Sequence, residues 1–376
     1  MNSFAPNPWL TLLTGILYAI SVLFLYKKSN SIKTSSNVRV APVILLVLCV
    51  CAFYNDYWNY KEQLFNISRS SGLTTYGWEP VYLWIASFVG YDYFLWRLLV
   101  WGIGVTFVVL LFKKLEINKL YFWFVFIACY YWLFAYARSA VALVLFIFGM
   151  VLFSDVRKLS NVIMGLTIMI ISIFGHKSLA VSFLVVPLFF FKPNKLFLLL
   201  SFAFFPVAIK ITQYIIEYLP YFSIAVGNFD YYDIESFQNN FERISEYDRF
   251  ESFGIMRIIL ERLRDVVHYL LFFILIYYII LKQGHKQCSV QSKSLFMLMF
   301  ILAYVGSCFA FCGQESSVFS YRIINMAVLP AVFLIILLTK KGIIPKTLLS
   351  KIVFITIVAE VLESIVYQLY VNLSNL

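Results

Sequence analysis

Apolar runs close to the length of a membrane crossing, separated by short polar stretches, recur from one end of the chain to the other. About 20 predominantly apolar residues in a helix cross the ~30 Å hydrocarbon layer of a bilayer. On that measure the pattern predicts spans over 9–26, 40–54, 92–112, 119–136, 138–153, 160–175, 178–191, 196–218, 264–281, 294–312, 322–339 and 347–371. The fold expected is therefore an all-α polytopic membrane protein of about 12 transmembrane helices. Residues 79–90 are as apolar as the spans but too short to cross, which predicts a short re-entrant or interfacial helix. The first outer loop, 54–91, contains that helix, and one long outer loop covers 219–263. Near the end of the long loop, Ile255, Ile258, Ile259 and Leu263 fall at helical spacing, so a surface helix should lead into the next span. A closed barrel would need short strands alternating with period two, and the pattern has none. The first run has no basic leader and no small-residue cleavage site, so it is expected to stay as a membrane helix. No internal repeat stands out, and residues 1–376 are expected to form a single integral-membrane domain.

Composition supports the pattern. Hydrophobic residues make up 62% of the chain and charged residues 13%, with a mean hydropathy of +0.85; soluble domains carry about 25% charge. The distribution of charge adds direction. One set of loops holds Lys27, Lys28, Lys33, Arg39, Lys113, Lys114, Lys119, Arg157, Lys158, Lys192, Lys195, Lys282, Lys286, Lys293, Lys340, Lys341, Lys346 and Lys351, with Glu116 and Asp155 as their acids. Cytoplasmic loops concentrate basic residues, so both termini are expected outside and the net charge of +11 comes from the cytoplasmic face. This charge is topological, and nucleic-acid binding is not implied.

A second asymmetry is chemical. The cytoplasmic cations are mostly lysine, whereas the outer ones are largely Arg69, Arg97, Arg138, Arg243, Arg249, Arg257, Arg262, Arg264 and Arg322. The positive-inside bias works against cations on this face, so they need another reason. The planar guanidinium fork bonds phosphate oxygens bidentately, which points to an outward-facing anion site. Arg243 to Arg264 have a second explanation, because Glu242, Glu246, Asp248, Glu251, Glu261 and Asp265 can pair with them. Arg138 and Arg322 have no acid within several residues.

Other candidates sit at the same outer ends. His176 follows Gly175 and is followed by Lys177 and Ser178, the pattern of a tight turn. Its imidazole can bind a phosphate oxygen, take a hydroxyl proton near neutral pH, or cap the turn. Glu79 precedes Pro80, where it either complements the helix N-terminus or serves as a general base or sugar ligand. Asp56 is a second carboxylate in the same loop. The interiors of 119–136, 138–153, 160–175 and 322–339 carry no charged side chain. Intramembrane charges mark transport pathways, so clean interiors with cations at the outer ends favour chemistry at the membrane surface. Trp9, Trp58, Trp78, Trp84, Trp96 and Trp132 lie near the outer boundary, where membrane-belt aromatics gather, and Trp58 and Trp78 also suit contact with glycan. Of six cysteines, five lie in apolar runs and Cys288 in a polar loop; none has zinc-site spacing, and no metal site is expected.

In this order the elements resemble the EpsG/Wzy-type polysaccharide (O-antigen) polymerase family. The matching pieces are Asn55-Asp56 with Tyr57 and Tyr60, Glu79-Pro80, Arg138-Ser-Ala-Val-Ala142 before an aliphatic span, His176-Lys-Ser178, and Tyr321-Arg322 before a late span. The family pattern more often has Arg-Gln where this chain has Arg138-Ser139. The resemblance implies a glycosyltransferase at the outer face of the bacterial inner membrane. Such an enzyme moves a growing glycan from undecaprenyl diphosphate onto a hydroxyl of the next lipid-linked repeat unit. The donor is already activated, so no cofactor is implied. The implied partners are the undecaprenyl-diphosphate-linked oligosaccharide, membrane lipid and a chain-length regulator protein. On this reading Arg138, Arg322 and His176, with Lys177 beside it, meet the donor diphosphate. Arg257 and Arg262 are further phosphate contacts, and Glu79 or Asp56 orients or deprotonates the acceptor. The rival functions are a lipid-linked oligosaccharide flippase, a multispan acyltransferase and an O-antigen ligase-like transferase.

Overall fold

The computed structural model describes residues 8–29, 36–51, 57–69, 79–130, 137–156, 158–188, 191–225, 255–282, 284–312 and 317–361. Among them every regular element is helical. In chain order these are α1 (Pro8–Ser29), α2 (Val40–Cys51), α3 (Tyr57–Arg69), α4 (Pro80–Phe88), α5 (Tyr93–Lys114), α6 (Leu120–Tyr130), α7 (Ala137–Phe153) and α8 (Leu159–Gly175). After a 3₁₀ segment, Lys177–Leu184, come α9 (Val185–Leu188), α10 (Lys195–Ala225), α11 (Ile255–Ile276), α12 (Val290–Ala310), α13 (Ser317–Lys340) and α14 (Lys346–Val361).

Within this set four helical stretches are long and apolar enough to cross a membrane: Tyr93–Lys114, Lys195–Ile215, Val290–Ala310 and Arg322–Lys340. Shorter apolar helices stand beside them, including α2, α7 and α8. The protein is thus an all-helical membrane protein. The short helix expected over 79–90 is α4, and the helix expected from the end of the long outer loop begins at Ile255. Most of that loop lies outside the described residues, although α10 continues as far as Ala225. The run 178–191 departs from the expected span. It forms a 3₁₀ helix and then a single α-turn. Pro187 supplies no N–H, so a continuous α-helix through this run is disfavoured.

The core is built around α13. Every residue from Ile323 to Thr339 is buried, and a helix apolar on all sides belongs in the middle of a bundle. It packs against α12, α11, α6 and α7. By contrast α10 leaves Leu196, Leu199, Leu200 and Phe202 exposed, as a lipid-facing helix would. At the end of α13 the Lys340 ammonium donates to the carbonyls of Leu115 (3.3 Å) and Glu116 (2.8 Å). A cation there caps the negative end of α5.

The pair that positions the site is α7 and α8. Their close approach needs glycine on both sides: a Cβ on Gly165 would lie 2.5 Å from the carbonyl oxygen of Gly149, and one on Gly149 would lie 2.7 Å from that of Gly165. Small residues let helix backbones meet in a membrane. The short link through Asp155 makes the two helices antiparallel neighbours. Arg138 at the start of α7 and His176 just after α8 therefore come to the same end. Helix α4 packs against both α5 and α8 at that end, which brings Glu79 to the pair.

Candidate active site

Glu79 is the N-cap residue of α4, with Pro80 in the first helical turn as expected. Its carboxylate makes no capping hydrogen bond, so both of its oxygens are available to other side chains. It is 5% exposed and turns to two partners, a guanidinium and an imidazole. An Arg138 terminal N–H donates to Glu79 Oε2 at 2.9 Å, and His176 Nδ1 lies 2.9 Å from Glu79 Oε1. Three residues from separate stretches, 59 and 97 positions apart from Glu79, form one cluster.

Each placement has a local cause. Arg138 lies in the first turn of α7, where the helix dipole disfavours a cation, so a carboxylate opposite it compensates. His176 ends α8 in extended backbone (φ −163°). Its backbone N–H bonds to the carbonyls of Ser172 and Ile173, and its own carbonyl accepts from Leu179. Turn capping is thus a backbone task, and the ring is left for Glu79. Burial by itself pushes the Glu79 carboxyl up. The His176 hydrogen bond and the Arg138 charge outweigh it and hold the group below its ordinary value. Glu79 is therefore an ionised acceptor at neutral pH.

Aromatic residues fix the arrangement from beneath. The Arg138 guanidinium lies 5.1 Å from the ring centroid of Tyr60, and its Nε donates to the Tyr60 hydroxyl at 3.4 Å. The Tyr82 hydroxyl donates to the Arg138 carbonyl at 2.6 Å. Trp96 Nε1 in turn donates to the Tyr82 carbonyl at 3.2 Å. A Cβ on Gly175 would lie 3.5 Å from the Tyr82 hydroxyl. Tyr82 thus touches the starts or ends of all three elements that carry the cluster.

The other sequence candidates fall elsewhere. Asp56 lies outside the described residues. Lys177 is the first residue of the 3₁₀ segment, and Arg257 and Arg262 lie on α11. Arg322 is exposed near the start of α13 and is not bonded to the cluster. Two readings need correction. Arg97, counted above among outer cations available to an anion, is 1% exposed and donates to the Cys49 carbonyl and the Tyr93 hydroxyl. Trp96, read as a belt residue, is fully buried beneath Tyr60 and Tyr82; Trp84, at 72% exposure, does suit the belt. The supporting roles of Tyr82 and Trp96 had no signal in the sequence, and Tyr60 stood out only within the family-like motif. Among the described residues no three His, Cys, Asp or Glu side chains converge as a metal site.

Comparison with family models finds a match over residues 37–374, which takes in α2 to the end of the described chain and every residue of the cluster. The chain belongs to the EpsG family. This membership makes it a membrane protein of polysaccharide-polymerase type. Searches of curated proteins and of solved structures return no match. In this EpsG-family chain the cluster joins the Glu79-Pro80, Arg138 and His176 motifs by direct contact, although they are far apart in sequence.

Proposed function

We propose that this EpsG-family protein is a polysaccharide polymerase, a glycosyltransferase working at the outer face of the bacterial inner membrane. It moves a growing glycan from undecaprenyl diphosphate onto a hydroxyl of the next lipid-linked repeat unit. The observation that carries the reading is the Arg138–Glu79–His176 cluster, with Arg138 and His176 side chains 19% exposed where α7 begins and α8 ends. A diphosphate leaving group at the headgroup plane calls for fixed donors where charge develops. Arg138 supplies a charged fork held by Tyr60 and Glu79, and each charge-assisted bond to phosphate contributes about 1.5–3 kcal/mol. Arg322 is the second cation proposed for the diphosphate, with Lys177, Arg257 and Arg262 as further contacts and Asp56 as an auxiliary carboxylate. A hydroxyl nucleophile calls for a base within hydrogen-bond reach, and the Glu79–His176 pair offers one.

Reconstitution into liposomes with purified lipid-linked repeat unit tests this directly. Elongated lipid-linked glycan is expected. Transbilayer movement without new glycosidic bonds would identify a flippase instead, and transfer only to a lipid core would identify a ligase.

A further inference from the structure

Both oxygens of Glu79 are already engaged, Oε2 by Arg138 and Oε1 by His176, and the residue is 5% exposed. An acceptor hydroxyl has little access to that carboxylate. His176 is more open, with 19% of its side chain exposed. Among the described residues its one side-chain hydrogen bond is made by Nδ1. An ionised carboxylate can only accept, so the 2.9 Å contact requires the proton on Nδ1. A neutral ring with Nδ1–H has its lone pair on Nε2.

We infer that His176 Nε2 is the catalytic base and that Glu79 is a positioning residue that holds the imidazole in the Nδ1–H form. This rests on the glycosyl-transfer reading above and divides the labour within the same site. Deprotonation of the acceptor moves the hydroxyl proton to Nε2. The acceptor oxygen forms a bond to the anomeric carbon as the bond from that carbon to the diphosphate oxygen breaks. Undecaprenyl diphosphate leaves with the bonding electron pair, beside Arg138. His176, now an imidazolium on the Glu79 carboxylate, releases the proton in a later step.

Among the described residues the ring bonds to the Glu79 carboxylate, which also accepts from the Arg138 guanidinium; Arg138 in turn bonds the Tyr60 hydroxyl through Nε and the Tyr82 hydroxyl through its carbonyl. Arg138 makes one substitution unusually informative. In Glu79→Gln the amide must present its oxygen to Arg138, which can only donate. Its NH₂ then faces His176. The ring nitrogen Nδ1 must accept, and the proton shifts to Nε2, so the base is lost.

The tautomer is read by ¹⁵N NMR of histidine-labelled full-length protein in detergent, with His176→Gln locating the signal. At a pH where the ring is neutral, the wild type is expected to show a protonated Nδ1 and an unprotonated Nε2, and Glu79→Gln the reverse. A protonated Nε2 in the wild type overturns the inference. Transfer rates with the lipid-linked repeat unit give the second measurement. His176→Gln and Glu79→Gln are expected to lose ~10²–10⁴-fold. Glu79→Ala, which frees the ring to take either tautomer, should retain more activity than Glu79→Gln, with thermal melting used to confirm folding. Equal loss in the two folded Glu79 variants, exceeding that of His176→Gln, would make Glu79 the base and overturn the assignment. If the wild type forms no glycosidic bond, the proposed function fails, and the spectrum still decides the tautomer.

Discussion

At the scale of the residue, the cluster holds ionisable groups where helix ends alone do not require them. Arg138 is a cation in the first turn of a helix, where the dipole disfavours it. Glu79 is a buried carboxylate that makes no capping hydrogen bond. Such misplaced residues were legible in the sequence. Their supports were not, because Tyr82 and Trp96 are two among many in a chain that is 19% aromatic. Replacing Tyr82 with Phe removes its bond to the Arg138 carbonyl but keeps the ring. Transfer should fall about tenfold, which corresponds to 1.36 kcal/mol, with membrane insertion unchanged. Glu79 also sets an acid limit on stability. Its carboxyl titrates lower in the folded protein than the ordinary unfolded value of about 4.3. Its stabilisation is complete above that value and is lost as pH falls toward the folded one. The thermal midpoint in detergent should therefore drop more steeply below about pH 4.3 in the wild type than in Glu79→Gln.

At the scale of the element, hydrophobic runs located the helices well because lipid enforces internally bonded backbone. Periodicity could not see the 3₁₀ segment after His176, whose apolar content is that of a span and which runs into a single α-turn containing Pro187. Nor could it pair α7 with α8 through two glycines 16 positions apart in a chain with 15 glycines. That pairing makes a sharp stability prediction. Gly165→Ala places a Cβ 2.5 Å from both the Gly149 carbonyl oxygen and the Phe153 nitrogen. Overpacking against backbone should cost about 1–3 kcal/mol and lower the melting temperature. Gly102→Ala, whose Cβ meets nothing within 4 Å, should be neutral or stabilising, since alanine is the better helix former.

At the scale of the whole molecule, the fold is a helical bundle around α13 with its charged cluster at one end and its lysine-rich loops elsewhere. The class was legible from hydropathy, and charge supplies an expected orientation. The meeting of Glu79, Arg138 and His176 was only partly so. The sequence put Arg138 and His176 at one end of a hairpin, but the packing of α4 against α8, which delivers Glu79, has no sequence signature. Orientation can be tested by single cysteines in a cysteine-free background. Ser87→Cys should react with a membrane-impermeant reagent in intact cells, and Lys114→Cys only after permeabilisation.

The central claim is that this cluster is where the glycan is transferred. Arg138→Lys tests it most directly, because lysine keeps the charge and loses the fork that bonds Glu79 and Tyr60 and that is proposed to bond phosphate. The measurement is product length from purified lipid-linked repeat unit in proteoliposomes holding equal amounts of folded wild type or variant. The account predicts long chains from the wild type and almost no extension by Arg138→Lys. Chains of wild-type length from the variant would contradict it.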